Sequence, residues 1–333
     1  MYRHSEYLLE SKFLPIVSYM TNDLKTILKN KSINGWRLFL LVSIPMSAVM
    51  AMAMIEADLT TGAGASAMIS FSVRWSVPFI YLVVAASSVR ILFPGPFTAW
   101  WSRNRKYFGM CFAVAMAWQA MFIFILSTSL RDYYFEDVYL FRDELEGSIG
   151  YIFLPAMVIT SFSFGRKHLT PGQWKLLHTS GICFLWAYPF SVYWWNLFYY
   201  EDPELIDYLF YGAGFLAFAS RIAAWGKKRQ QAAKKNGRHN DISPCLMLLG
   251  SIVVASGLVV AASGLYWQKT ITALLTAPAW SADLVLWFPF WPFEPFLSLI
   301  IIGIGTMLLT PGPQIESDPE PVRETIRSTI RDI

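Results

Sequence analysis

Few side chains able to do chemistry fall within or against the long apolar blocks of this sequence: Arg74, Gln119, His178, Arg221 and Glu294. Polar groups at membrane depth are costly, so each asks for a reason. His178 is the sharpest of them. The chain has 4 histidines, and His4, His168 and His239 lie in a tail or in loops. His178 stands in Gln173-Trp-Lys-Leu-Leu-His178, about one turn into an apolar block. An imidazole in a bundle interior ligates haem iron or hydrogen-bonds a neighbouring helix, and the residue alone leaves both open. Arg74, about two turns into its own block, can pair with an acid, hold a propionate or reach the interface. Arg221 is close enough to a basic end to snorkel, and Glu294 falls in an aromatic segment. Cys111, Cys183 and Cys245 have no metal-site spacing and read as inert buried thiols.

The elements that position these residues follow from composition. The chain is 55% hydrophobic and only 15% charged over 333 residues, where a soluble domain carries about a quarter charged. A bilayer span needs about 20 mostly apolar residues. Blocks of that kind fall near 36–57, 67–92, 107–130, 147–165, 175–198, 205–226, 244–267 and 294–310. The fold class is therefore an all-α integral membrane bundle of about eight transmembrane helices, and the lipid bilayer is its solvent. The first block starts too late for a cleavable signal peptide. Pro289, Pro292 and Pro295 recur every third residue, so 287–295 cannot be a helix interior. That stretch reads as an outer-interface segment with Pro295 in the first turn of a short helix.

Loop charge orients the chain. Loops 93–106, 165–175 and 226–243 carry twelve Lys/Arg and one acid, Asp241. Loops 56–66, 131–146, 199–207 and 268–283 carry thirteen acids and three Lys/Arg. The two sets alternate, and basic short loops stay in the cytoplasm. The expectation is a multi-pass protein of the inner (cytoplasmic) membrane with both termini inside. Nucleic acid is an unsuitable partner, because the basic residues are dispersed over short loops. Residues 1–35 read as a cytoplasmic or interfacial segment. The tail 311–333 reads as a short amphipathic helix or as disorder. There is no GxGxxG and no phosphate loop.

Val89-Arg-Ile-Leu-Phe-Pro94 and Trp100-Trp-Ser-Arg-Asn-Arg-Lys-Tyr-Phe-Gly-Met-Cys-Phe-Ala-Val114 resemble the second loop and third helix of ferric-reductase-like transmembrane proteins. Thr160-Ser-Phe162, Trp174-Lys-Leu-Leu-His178, Gly181 and Trp186 extend the resemblance. That superfamily includes the haem-binding subunit of the methionine sulfoxide reductase system and the membrane core of NADPH oxidases. The resemblance covers about residues 70–225. It implies a six-helix core over 36–226, a basic loop 227–243 and two additional helices over 244–310. It also implies b-type haem held by histidines on the third and fifth helices. Counted from Gly109, the third-helix positions are Met116 and Gln119. His178 matches the fifth-helix histidine, and a further family position falls on Ser191.

Under this resemblance His178 and Met116 are the iron ligands, since His/Met ligation is a known haem arrangement. Gln119 is a poor ligand and Arg74 would contact a propionate. Electrons would come from a separate donor, because the chain has no flavin or NAD(P)H domain. The departures at 116, 119 and 191 equally imply a haem-free relative that works as a scaffold, sensor or partner subunit. Depth also separates the pair. Met116 is ten residues past Lys106, about 15 Å, whereas His178 is three past Lys175, about 4.5 Å. A transporter is the weakest class, because no paired acids sit at mid-membrane.

Overall fold

The computed structural model describes residues 25–235 and 242–311, and every regular element among them is helical. The readings for most of the N-terminal segment and for the C-terminal tail lie outside the described residues. The helices of seven residues or more begin with α1 (Trp36–Glu56), α2 (Gly62–Leu92), α3 (Pro96–Ser129), α4 (Phe141–Thr160), α5 (Pro171–Phe198) and α6 (Leu205–Lys235). They are followed by α7 (Pro244–Ala262), α8 (Gly264–Thr276), α9 (Ser281–Trp287) and α10 (Leu297–Leu308). A 3₁₀ turn, Glu294–Phe296, leads into α10.

Five of these, α1, α2, α3, α6 and α7, are long and apolar enough to cross a membrane. Eight spans were expected, and the difference has a physical cause. The first turns of α4 hold Arg142, Asp143, Glu144 and Glu146. Helix α5 is long but rich in Trp and Tyr, which hydropathy scores as polar although their rings bury well. Helix α10 has only 12 residues. The bundle's outer surface suits lipid: Leu41, Ile44, Ile55, Phe124, Ile152 and Leu216 are all exposed large apolar side chains.

The helices also overrun the apolar blocks. α3 begins at Pro96, with proline in its first turn and Thr98 Oγ1 accepting from the Gly95 N–H at 3.1 Å. The basic run 103–106 therefore lies on helix rather than in a loop. α5 starts at a capping box: Thr170 Oγ1 accepts from the Gln173 N–H at 3.3 Å, and Gln173 Oε1 accepts from the Thr170 N–H at 2.9 Å. The stretch read as loop 268–283 holds most of α8 and the start of α9.

α5 is the axis of the core. Its Trp186, Phe190 and Trp194 are almost fully buried. Trp186 stacks on Phe190 and on Phe218 of α6, at 4.7 and 4.2 Å between centroids, and its Nε1 donates to Gly214 O at 3.0 Å. A methyl on Gly214 would sit 2.7 Å from the Tyr81 ring, so α2, α5 and α6 meet where only glycine fits. α2 packs along α3 and α6, α4 against α5, and α7 along α10, which in turn rests on α6. The α7–α10 contact is backbone to backbone: a methyl on Gly305 would lie 2.8 Å from Val254 N and 2.9 Å from Gly250 O.

Candidate functional site

One end of the bundle carries a partly open cavity of about 590 Å³ between α2, α3, α4, α5 and α6. That size is in the range of small-molecule and cofactor sites. Its apolar lining includes Ile80, Val83, Phe112, Leu154, Ile182 and Leu185. Its polar wall holds six cations, Arg105, Lys106, Arg166, Lys175, Arg221 and Lys228, and no Asp or Glu. Among the described residues the ion pairs are Arg74–Glu204 and Arg142–Glu146, both away from this wall. The cations instead make neutral contacts. Arg105 Nη1 donates to Ser87 Oγ at 3.0 Å, and Lys106 Nζ to Ser161 O at 2.8 Å. Arg166 lies over the Trp174 ring at 4.2 Å. Positive charge therefore accumulates around an apolar chamber with no counter-charge in its lining among the described residues.

His178 is half-buried in the wall of this cavity. Its ring stacks on Trp174, one turn earlier, with centroids 4.3 Å apart. Its Nε2 is 3.0 Å from Thr160 Oγ1. The Thr160 hydroxyl also lies 2.6 Å from Ala156 O, so it joins the α4 backbone to the imidazole whichever group donates. Thr160 O in turn accepts from Trp174 Nε1 at 3.0 Å. His178, Trp174 and Thr160 thus form a clamp between α4 and α5.

The other sequence candidates lie elsewhere. Met116 packs half-buried against the core, outside the cavity lining. It shares Gly109's helix face but lies seven residues further along α3, about 10.5 Å. Gln119 is buried, and its Oε1 accepts from the Tyr151 hydroxyl at 3.1 Å; the same hydroxyl is 3.2 Å from Met116 O. Arg74 pairs with Glu204 at 3.0 Å at the acidic end, with both side chains about half exposed. Ser191 is buried and donates to Tyr188 O. Arg221 lines the cavity, with Nη1 3.4 Å from Val84 O. The three cysteines are free thiols: Cys111 buried, Cys183 half-buried and Cys245 exposed.

The thioethers that do reach the cavity are Met110 and Met157. Met157 is seated by Gly181, where a methyl would lie 2.4 Å from its Sδ. Sequence reasoning singled out neither. Arg105, Lys106 and Arg166 were also missed as site residues, because their charge read as an orientation signal for the loops. No protein-family model, no curated protein and no solved structure matches this chain.

Proposed function

We propose that this chain is a multi-pass membrane protein, working as a sensor or partner subunit, that binds an anionic amphiphile in the basic-end cavity. The observation that carries this reading is the union of an apolar chamber with six cations and, among the described residues of its lining, no acid. A ligand with an apolar body and a phosphate or carboxylate head places each part against its complement. Charge-assisted hydrogen bonds from arginine give the head its strongest contacts. The eight-span bundle, the cytoplasmic placement of this basic end and the inner membrane as its location belong to the same proposal, and loop charge supports them.

b-type haem is itself an anionic amphiphile, and the resemblance to ferric-reductase-like proteins implies it. The residues present do not fit it as the resemblance requires. His178 Nε2 is engaged with Thr160 Oγ1 at 3.0 Å, so an iron at that nitrogen would have to displace the hydrogen bond. Met116 and Gln119 stand off the cavity wall and Arg74 is at the other end of the bundle. We therefore favour the haem-free reading, with electron transfer from a separate donor as the alternative.

The test uses the full-length protein purified from haem-replete cells. Its visible spectrum is expected to lack a Soret band; a Soret band with b-type α and β bands on reduction would restore the electron-transfer reading. In vesicles, Trp174 and Trp225, which line the cavity, report binding. Brominated phosphatidylglycerol is expected to quench tryptophan fluorescence more than brominated phosphatidylcholine. Arg105→Gln together with Arg221→Gln is expected to remove the difference. Equal quenching by both lipids in the unaltered protein would sink the proposal.

A further inference from the structure

A second polar cluster lies at the opposite, acidic end, independent of the basic cavity. Helix α8 sets Gly264, Gln268 and Thr272 at four-residue spacing, on one face. Gly264 lets that face lie on the end of α5, since a methyl there would be 2.6 Å from the Phe198 ring. Gln268 is 2% exposed and its Nε2 donates to Phe198 O at 2.7 Å. That bond fixes the amide orientation, because the flipped form would set two oxygens against each other. Gln268 Oε1 is left buried with no partner. Thr272 Oγ1 lies 2.6 Å from Glu294 Oε1 and 2.7 Å from the Tyr199 hydroxyl. Glu294 is 3% exposed, and its Oε2 is likewise buried without a partner.

Gln268 Oε1 and Glu294 Oε2 are both buried acceptors without a partner among the described residues, and the second belongs to a carboxylate, which a cation would compensate. The ion pairs among the described residues leave Glu294 without a cationic side chain. An uncompensated buried carboxylate is strongly unfavourable. We propose that Glu294, Gln268, Thr272 and Tyr199 bind one small monovalent cation of sodium size. The donor set is oxygen only, which suits a hard cation. One carboxylate balances one charge, so a divalent ion would leave an excess charge buried. No group of three or more His, Cys, Asp or Glu that could hold a metal occurs among the described residues, which sets this site apart from a transition-metal centre. Tyr199, 42% exposed, opens the cluster to the solution at the acidic end.

The bound ion would tie α8 and the turn at 294–296 to the end of α5. A ligand that binds only the folded state raises its stability in a saturable way. Thermal unfolding of the full chain in detergent is therefore measured in NaCl, KCl and choline chloride at one ionic strength. The midpoint is expected to rise saturably with Na⁺, less with K⁺ and not with choline. Glu294→Gln, which keeps shape and removes charge, should abolish the rise. Thr272→Val and Tyr199→Phe should each move half-saturation to higher Na⁺, and they carry the test if Glu294→Gln does not fold. Identical midpoints in Na⁺ and choline, or a Na⁺ response unchanged in the variants that fold, would overturn the proposal. A dependence on pH alone, lost in Glu294→Gln, would assign the site to a proton and overturn it too.

Discussion

Glu146→Ala offers the sharpest test of how the aromatic segment before α10 is held. Glu146 is 3% exposed. Its Oε1 accepts from the Phe290 N–H at 2.8 Å and from Arg142 Nε at 3.2 Å. Phe290 and Phe293 both have left-handed φ, 63° and 69°, a conformation that bulky residues resist. The carboxylate therefore fixes a backbone that would otherwise relax. Removing it orphans a buried N–H, which costs about 1–3 kcal/mol. It also strands Arg142. The arginine side chain is 27% exposed and lies over the Trp195 ring, so water and the ring offset part of the loss. The cost of that half is well below the ~3–5 kcal/mol of a fully buried broken pair, and about 1 kcal/mol is reasonable. The total is ~2–4 kcal/mol.

Glu204→Ala breaks the other ion pair, whose side chains are 49% and 61% exposed, and should cost less than ~1 kcal/mol. Arg142→Ala should fall between the two, because it leaves the Phe290 bond intact. The assay is reversible unfolding of the three variants in the same detergent, with the Arg142/Glu146 double mutant closing the cycle. If Glu146→Ala and Glu204→Ala cost the same, or if Arg142→Ala costs more than Glu146→Ala, the account of Glu146 as the anchor of Phe290 is wrong.

Single cysteines at Asp137 and Lys234, in a background without native thiols, should label from opposite sides of the membrane, with Lys234 protected from impermeant reagents in intact cells. Labelling of Lys234 from outside would invert the orientation. His178→Ala should cost about 1–2 kcal/mol, the scale of one interhelical hydrogen bond, and leave the visible spectrum unchanged. A larger loss accompanied by bleaching of a haem band would return His178 to the iron.

His178 was legible in the sequence because an imidazole is rare in an apolar block. What surrounds it was not. Arg105, Lys106 and Arg166 also supply the charge bias of the basic end, and nothing in their spacing separates a cavity wall from a solvated loop. The mismatch in depth between Met116 and His178 was visible by counting residues. In the structure His178 lines the basic cavity, and Met116, two turns beyond Gly109 on α3, is not part of that lining. α5 shows the limit of hydropathy: Trp186 and Trp194 make it the most buried axis of the bundle while lowering its apolar score. The Gly264–Gln268–Thr272 spacing straddles the end of the block 244–267 and the stretch 268–283 read as loop, and a four-residue period of small and polar residues was the signal available there. Glu146, Asn104 and Asp207, all buried, sit among other charged or polar residues, so sequence gave no reason to choose them.

The shortness of α10 bears on how the chain is made. Twelve residues of helix cover about 18 Å, against a hydrocarbon core of about 30 Å. The nine residues before it, 288–296, contain one turn of 3₁₀ helix and otherwise have irregular backbone. Lipid tolerates such backbone only where protein covers it. An insertion machinery that tests each segment alone would find little reason to leave this one in the bilayer. Its glycine contact with α7 supplies the missing partner, so the two should enter as a hairpin. A ribosome stalled before Gly305 emerges should then hold a nascent chain whose last segment is still outside the membrane.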